Sequence, residues 1–160
     1  APLDVALTKK IGHPHNREFA IGAISLGHII LDQQQEISRD YIASETNRLR
    51  LELQEKYTLF YRKKQPCIWK NKTVVITDDG LATGYTLRAA LALIHAKKPK
   101  GIVIALPVAP AAIINEFENL PGVQEVVCLQ RPHYFDAVGA FYEDFRPIND
   151  EKAVEIFESN

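Results

Sequence analysis

The sequence contains no methionine, one tryptophan and two cysteines, and it has no long uninterrupted apolar run. No stretch approaches the roughly 20 apolar residues that a membrane-spanning helix requires, so we expect no transmembrane segment. Cys67 and Cys128 lie far apart and match no metal-ligand or redox spacing, which predicts a reducing, cytoplasmic setting. Nothing in the sequence resembles a secretory signal peptide.

An excess of either charge is also absent. The chain has 19 basic and 20 acidic residues among 160, so its balance gives no electrostatic reason to expect a nucleic-acid partner. The apolar fraction of 46% is sufficient for a hydrophobic core, and residues 1–160 are predicted to form a single domain. The chain begins with Ala1, which is compatible either with removal of an initiator methionine or with a missing N-terminal portion.

The N-terminal part of the chain predicts a strand, a flap and a long helix. Residues 3–8 are apolar and β-branched, as in a buried strand, and residues 9–16 have the Gly, Pro and His content of a loop. Residues 18–31 suggest a small hairpin or mobile flap. Between residues 37 and 64 there is no Gly or Pro, and apolar residues recur at helical spacing, with Ser38 as a possible N-cap.

The rest of the chain alternates strands with helices, and its strands are apolar on both faces, which together predict an α/β fold with a parallel twisted sheet flanked by helices. We expect strands at 73–77, 101–106 and 123–129, and helices at 85–97, 110–119 and 150–158, the last capped by Asn149. Residues 131–147 are aromatic and irregular. Ligands of such sheets bind outside the carboxyl ends of the strands.

Residues 74–86, VVITDDGLATGYT, combine an apolar strand, two acids, and a small-residue loop that opens a helix. Small residues let the backbone turn tightly, so that successive N–H groups can point at one anion. The start of the following helix adds free N–H groups and a positive dipole end. The segment therefore predicts a phosphate site, although it lacks the Lys of a Walker loop and the glycine pattern of a dinucleotide site.

Asp78 and Asp79 stand between the strand and this loop. Ionised carboxylates only accept hydrogen bonds, so beside a phosphate they suit a diol or a metal ion rather than the phosphate itself. A ribose with free 2- and 3-hydroxyls and a 5-phosphate would meet both halves of the segment. Adjacent acids in a turn are otherwise a common feature of solvated loops.

VVITDDGLATGYT resembles the motif with which type I phosphoribosyltransferases bind phosphoribosyl pyrophosphate (PRPP). LDVALTKKIGHP is similar to the strand and basic loop of that family, residues 9–31 to its mobile active-site flap, and CLQRPHYFDAVGAFYEDF to the C-terminal part of a bacterial group of these enzymes with poorly assigned reactions. The resemblance covers nearly the whole chain. It implies a type I phosphoribosyltransferase-like fold with a small C-terminal hood, residues 130–160.

The resemblance also implies roles for individual residues. Asp78 and Asp79 would hold the ribose hydroxyls, and Lys10 would act on the leaving diphosphate, for which Lys9 and Arg131 are further candidates. Residues expected around the 5-phosphate are Ala82, Thr83, Gly84, Tyr85 and Thr86. Mg²⁺ would arrive bound to PRPP rather than in a site of its own. Closure of the flap would exclude water from the reaction.

Aromatic residues follow the last predicted strand. Tyr134 and Phe135 could stack on a heterocyclic acceptor, or they could belong to a local aromatic cluster or a dimer contact. The implied reaction transfers the phosphoribosyl group of PRPP to a nitrogen acceptor, and the family resemblance favours a homodimer in the cytoplasm.

Two departures from the family pattern support a different function. Family members that recognise 6-oxopurines commonly place an acid, as a base for the incoming ring, where this chain has Ala82, so either the nucleophile needs no such base or the substrate is different. Members also normally carry a diphosphate-binding loop upstream of the first strand seen here. We expect the diphosphate half of the site to be incomplete within residues 1–160. The alternative function is therefore a catalytically impaired protein that binds PRPP or a nucleotide for regulation.

Overall fold

The structure is a computed structural model that describes residues 1–32 and 36–160. Its elements are β1 (Thr8–His13), β2 (Asn16–Ser25), β3 (Ile29–Leu31), α1 (Arg39–Phe60), β4 (Thr73–Thr77), α2 (Tyr85–Ala96), β5 (Gly101–Val108), α3 (Ala111–Glu118), β6 (Val123–Gln130) and α4 (Asp150–Glu158). A short 3₁₀ helix covers Val138–Phe141. The chain divides into two units: Ala1–Cys67 with Tyr85–Ile94 and Ile148–Asn160, and Ile68–Gly84 with His95–Pro147.

The first unit contains an antiparallel sheet in the order β1-β2-β3. The hairpin predicted within residues 18–31 is confirmed by the pairing of β2 with β3. The strand predicted at residues 3–8 is wrong, because Asp4 accepts hydrogen bonds from the N–H groups of Val5 and Cys67 and thereby holds this segment outside a strand ladder. Most of the predicted loop at residues 9–16 is strand instead, since β1 pairs with β2 through a bulge at Gly12.

Helix α1 packs on this sheet and completes the core of the first unit. Leu49 and Leu53 are buried with isoleucines of β1 and β2, as the helical spacing predicts. Ser38 is the N-cap residue, but its side chain makes no capping hydrogen bond. The helix ends at Phe60 rather than at the predicted residue 64. No helix among residues 1–32 and 36–160 has both the length and the apolar character needed to span a membrane.

Helix α4 is held by lysines of α1 and of the segment that follows it. Lys56 forms an ion pair with Asp150 at 2.7 Å, and the ammonium group of Lys64 donates to the backbone oxygen of Phe157 at 2.9 Å while lying over its ring. The predicted cap is confirmed, because the side chain of Asn149 accepts from the N–H of Lys152 at 2.9 Å.

The second unit contains the predicted parallel sheet, in the order β4-β5-β6. Ile76, Ile104 and Val126 lie side by side across it and are buried. Helices α2 and α3 connect the strands, and α3 packs on β6. The carboxyl ends of the three strands therefore meet at one edge, the position where such sheets bind ligands.

The opposite face of this sheet is more open than the apolar pattern of its strands predicts. Val75 is 62% exposed and Leu129 79%, although each adjoins a more buried residue of its own strand. β-Branched and apolar side chains favour strands whether or not they are buried, so apolar character on both faces of a strand did not establish burial on both faces here.

Candidate functional site: an acidic turn and a loop at the start of helix α2

The loop between β4 and α2 alternates between exposed and buried residues. Asp78 and Asp79 are exposed immediately after β4, whereas Leu81 is only 2% exposed and its N–H donates to the backbone oxygen of Val108 at 3.1 Å. Ala82 and Thr83 are exposed again. Leu81 and the buried Gly80 thus anchor the loop at the end of β5, while Asp78 and Asp79 before them and Ala82 and Thr83 after them remain exposed.

Two glycines allow this loop to lie against its neighbours. A Cβ atom at Gly80 would lie 2.8 Å from Cγ1 of Val138, and one at Gly84 would lie 2.8 Å from Cε2 of Phe117. Gly84 also has a φ of 73°, a conformation that favours glycine. Helix α2 begins at the next residue, Tyr85, so its first N–H groups, which have no acceptor within the helix, follow directly on the loop.

The two carboxylates of this turn have different environments. The N–H of Asp79 donates to Oδ1 of Asp78 at 3.0 Å. The pKa of Asp78 is raised above its usual value, mainly because protein atoms displace water around the carboxyl group, and the charge of Asp79 raises it further; the hydrogen bond from Asp79 opposes both effects. The residue as a whole is nevertheless exposed, so its carboxylate is both accessible and costly to ionise.

A residue that the sequence did not single out also contacts the turn. The hydroxyl of Tyr142 donates to the backbone oxygen of Asp79 at 2.6 Å. The ring of Tyr142 packs on that of Phe145, with centroids 5.0 Å apart. No local pattern distinguishes Tyr142 from the neighbouring aromatics, because the contact depends on how the segment after β6 returns toward β4.

The three predicted cations lie in different surroundings. Lys9 forms an ion pair with Glu52 of α1, and Arg131 forms one with Glu118 at 3.0 Å. Lys10 is exposed and, because side chains alternate along a strand, points away from the face of β1 that carries Lys9. Lys9 and Lys10 belong to the first unit, whereas Arg131 belongs to the second.

The residues predicted to contact the acceptor and the phosphate differ in exposure and in the contacts that they already make within the protein. Tyr134 is 83% exposed, while Phe135 is stacked on Phe141 with centroids 5.5 Å apart and an interplanar angle of 21°. The hydroxyl of Tyr85 donates to Asp32 at 2.8 Å. Thr86, the second residue of α2, is half-buried.

The turn offers chemistry suited to a sugar phosphate. Its carboxylates can accept hydrogen bonds from hydroxyl groups, and the loop with the helix start can donate N–H groups to an anion. Among the described residues there is no group of three or more His, Cys, Asp or Glu side chains placed to hold a metal ion. Two exposed carboxylates fit Mg²⁺ held mainly by phosphate oxygens of a ligand, since this ion commonly keeps several waters.

Comparison with known proteins identifies similar chains. The family model described as "Phosphoribosyl transferase domain" matches residues 22–127, which include the acidic turn and the loop. The crystal structure of TT1426 from Thermus thermophilus superposes with a TM-score of 0.77 and is 34% identical in sequence, covering 99% of this chain and 76% of that one.

Two curated relatives come from Mycobacterium tuberculosis. They are named "Putative phosphoribosyl transferase MT0597" (strain CDC 1551 / Oshkosh) and "Putative phosphoribosyl transferase Rv0571c" (strain ATCC 25618 / H37Rv). Each is 33% identical over an alignment of 160 positions that covers 96% of this chain and 35% of the relative. The chain thus spans about a third of the length of these relatives.

Proposed function

Because this chain belongs to the phosphoribosyl transferase family, we propose that it transfers the 5-phosphoribosyl group of PRPP to a nitrogen acceptor and releases diphosphate. The observation that carries the proposal is the exposed acidic turn, placed at the carboxyl end of β4 and followed by a loop that opens helix α2. A ligand that carries both a diol and a phosphate satisfies the two halves of this segment together.

In this proposal Asp78 and Asp79 accept hydrogen bonds from the 2- and 3-hydroxyls of the ribose. The 5-phosphate lies against the loop and the first turn of α2, where N–H groups and the positive end of the helix dipole favour an anion. The residues proposed around the phosphate are Ala82, Thr83, Gly84, Tyr85 and Thr86.

Lys10 is the proposed cation for the diphosphate, because Lys9 and Arg131 already form ion pairs with Glu52 and Glu118. A leaving group with several negative charges needs compensating positive charge as it departs. Mg²⁺ bound to PRPP would supply further positive charge at the diphosphate, with Asp78 and Asp79 as the carboxylates available to it or to its waters.

The reaction balances without a further reactant. The bond between C1 of the ribose and the diphosphate oxygen breaks, a bond from C1 to the acceptor nitrogen forms, and the nitrogen's proton passes to solvent. Tyr134 and Phe135 are the proposed stacking residues for a planar acceptor. A homodimeric assembly in the cytoplasm is part of the same proposal and is tested by light scattering and by cell fractionation.

The double substitution Asp78→Asn with Asp79→Asn tests the proposal. Both residues are exposed, so the variant should keep the unfolding temperature within a few degrees of the parent chain, while its affinity for Mg²⁺–PRPP in calorimetry falls by about 100-fold or more. A control matched in charge, Asp150→Asn with Glu151→Gln, removes two carboxylates from α4 together with the Lys56–Asp150 ion pair, and it should leave PRPP affinity unchanged even where it lowers the unfolding temperature. Equal PRPP affinity in the parent and the Asp78/Asp79 variant would refute the proposal.

The second candidate function is a protein that binds PRPP or a nucleotide without turnover. The ion pairs of Lys9 and Arg131 favour it, since two of the three cations considered for the diphosphate are engaged by protein carboxylates. Ala82, which stands where family members that recognise 6-oxopurines commonly have an acid, favours it as well. Diphosphate release measured with purine, pyrimidine and other nitrogen acceptors separates the two: saturable binding without release for any acceptor supports regulation.

A further inference from the structure

We propose that Tyr142 is a positioning residue that holds the backbone of Asp79 so that the acidic pair fits the ribose hydroxyls. The proposal rests on the function proposed above, and it adds a residue outside the motif to the same site. Its basis is the hydrogen bond of 2.6 Å from the hydroxyl of Tyr142 to the backbone oxygen of Asp79.

The acidic turn needs such support from outside itself. Asp78 and Asp79 are exposed, and two neighbouring carboxylates repel each other. The hydrogen bond within the turn joins the N–H of Asp79 to the carboxylate of Asp78, so it occupies an oxygen that a ribose hydroxyl would use. A contact to the backbone oxygen of Asp79 instead fixes the peptide after it and leaves both carboxylates available.

The segment that carries Tyr142 is itself held against the turn. The Tyr142 ring packs on Phe145, and Phe145 lies over Gly139, where a Cβ atom would be only 2.8 Å from its ring. Val138 packs on Gly80, the residue after the acidic pair, where a Cβ atom would be only 2.8 Å from Cγ1 of Val138. Residues 138–145 therefore touch the turn both at the backbone of Asp79 and at Gly80.

This placement has a consequence for ligand selection. A diol is bound well only when both carboxylates keep the right separation and direction, because errors of about 0.5 Å or 10–20° weaken a preorganised site. Fixing the peptide that follows Asp79 restricts the direction of its side chain. Tyr142 should thus matter for the ribose and not for the phosphate, which binds to other atoms of the segment.

Tyr142→Phe tests this, because it removes the hydroxyl and keeps the ring. We expect its affinity for ribose 5-phosphate, measured by calorimetry, to fall by about three- to tenfold, the range for loss of one neutral hydrogen bond. Its affinity for inorganic phosphate, measured by NMR titration, should remain within about twofold of the parent value, since no phosphate donor is changed. The ratio of the affinities for ribose 5-phosphate and inorganic phosphate is compared between variant and parent, because a change in the folded fraction would affect both affinities equally.

Tyr61→Phe is the matched control. The hydroxyl of Tyr61 donates to the carboxylate of Asp4 in the first unit, so this variant also loses a tyrosine hydrogen bond. It should lower the unfolding temperature and leave ribose 5-phosphate affinity unchanged. A Tyr142→Phe variant that binds ribose 5-phosphate as the parent does, or that loses phosphate affinity equally, overturns the positioning role. Absence of ribose 5-phosphate and PRPP binding in the parent chain overturns the proposed function and this role together.

Discussion

The side chain of Lys9 is paired with the carboxylate of Glu52, whereas Lys10, the next residue of β1, is exposed on the other side of the strand. Glu52 in turn accepts from Arg48, so Lys9 belongs to a charge network that joins β1 to α1. The pKa of Glu52 is lowered, first by the hydrogen bond from Lys9. These two neighbouring lysines therefore have different surroundings.

Lys10→Gln should impair catalysis more than Lys9→Gln. Under the proposed function, in which Lys10 contacts the diphosphate, we expect Lys10→Gln to raise the KM for PRPP by about 10- to 100-fold through loss of that charge-assisted contact. Lys9→Gln should instead lower the free energy of unfolding by less than about 1 kcal/mol, since both partners are partly exposed. Steady-state kinetics and urea unfolding of both variants check this, and a larger kinetic effect at Lys9 would contradict it.

Gly84→Ala should damage the loop that precedes α2. Its Cβ would meet Phe117 at 2.8 Å in a conformation with φ of 73°, so we expect a loss of about 1–3 kcal/mol of unfolding free energy together with weaker phosphate binding. Urea unfolding and phosphate titration measure the two effects.

Gly27→Ala is the control for that substitution, because a Cβ at Gly27 has no heavy atom within 4 Å. Its unfolding free energy should stay within about 0.5 kcal/mol of the parent. Equal stability of the Gly84 and Gly27 variants would show that the loop relaxes around the added methyl group.

Asp78→Asn should stabilise the protein at neutral pH. The pKa of Asp78 is raised in the folded state, so ionising this carboxyl group lowers the stability of the fold. This loss is absent below the ordinary pKa of the unfolded chain and appears as the pH rises above it. The variant should therefore gain about 1–3 °C in unfolding temperature over the parent at pH near 7, and this gain should shrink toward zero in acid. Thermal unfolding across this range measures it.

Glu45→Gln should have the opposite effect on stability at neutral pH. The pKa of Glu45 is lowered, chiefly by the hydrogen bond from Arg48, so its ionised form stabilises the fold above the ordinary pKa of the unfolded chain, and this stabilisation is lost as pH falls through the lowered value. The variant should be less stable than the parent at neutral pH and approach it in acid. If the Asp78 and Glu45 variants both gained or both lost stability at neutral pH, the causes given for the two pKa shifts would be contradicted.

On the parallel sheet, the loss of unfolding free energy on truncating a side chain to alanine should depend on how deeply that side chain is buried. Ile104, in the central strand, is fully buried, so Ile104→Ala should lower the unfolding free energy by about 2–5 kcal/mol. Val75→Ala, at a position 62% exposed on the edge strand β4, should cost less than about 1 kcal/mol. Urea unfolding distinguishes the two, and comparable losses would mean that the open face is covered in solution.

Several elements were predictable because their signals are local. The strand at Thr73–Thr77, the loop after it and the helix from Tyr85 follow from an apolar run, small residues and helical spacing within a short stretch. The cap of α4 follows from Asn149 and the acids behind it. The N-terminal strand could not be placed in the same way, since β1 forms only by pairing with β2, and residues 3–7 are held by Asp4 and its distant partners Tyr61 and Cys67.

The candidate site likewise has features that the sequence predicts and features that depend on the tertiary structure. The sequence by itself determined the acidic pair, the small-residue loop and their position between a strand and a helix, because these features are contiguous and their chemistry is a property of the residue types. Only the tertiary structure decided that Lys9 and Arg131 are engaged while Lys10 is exposed, and that Tyr142 reaches the backbone of Asp79. Those relationships join residues far apart in the chain, and their energies depend on distance and burial, which residue order does not contain.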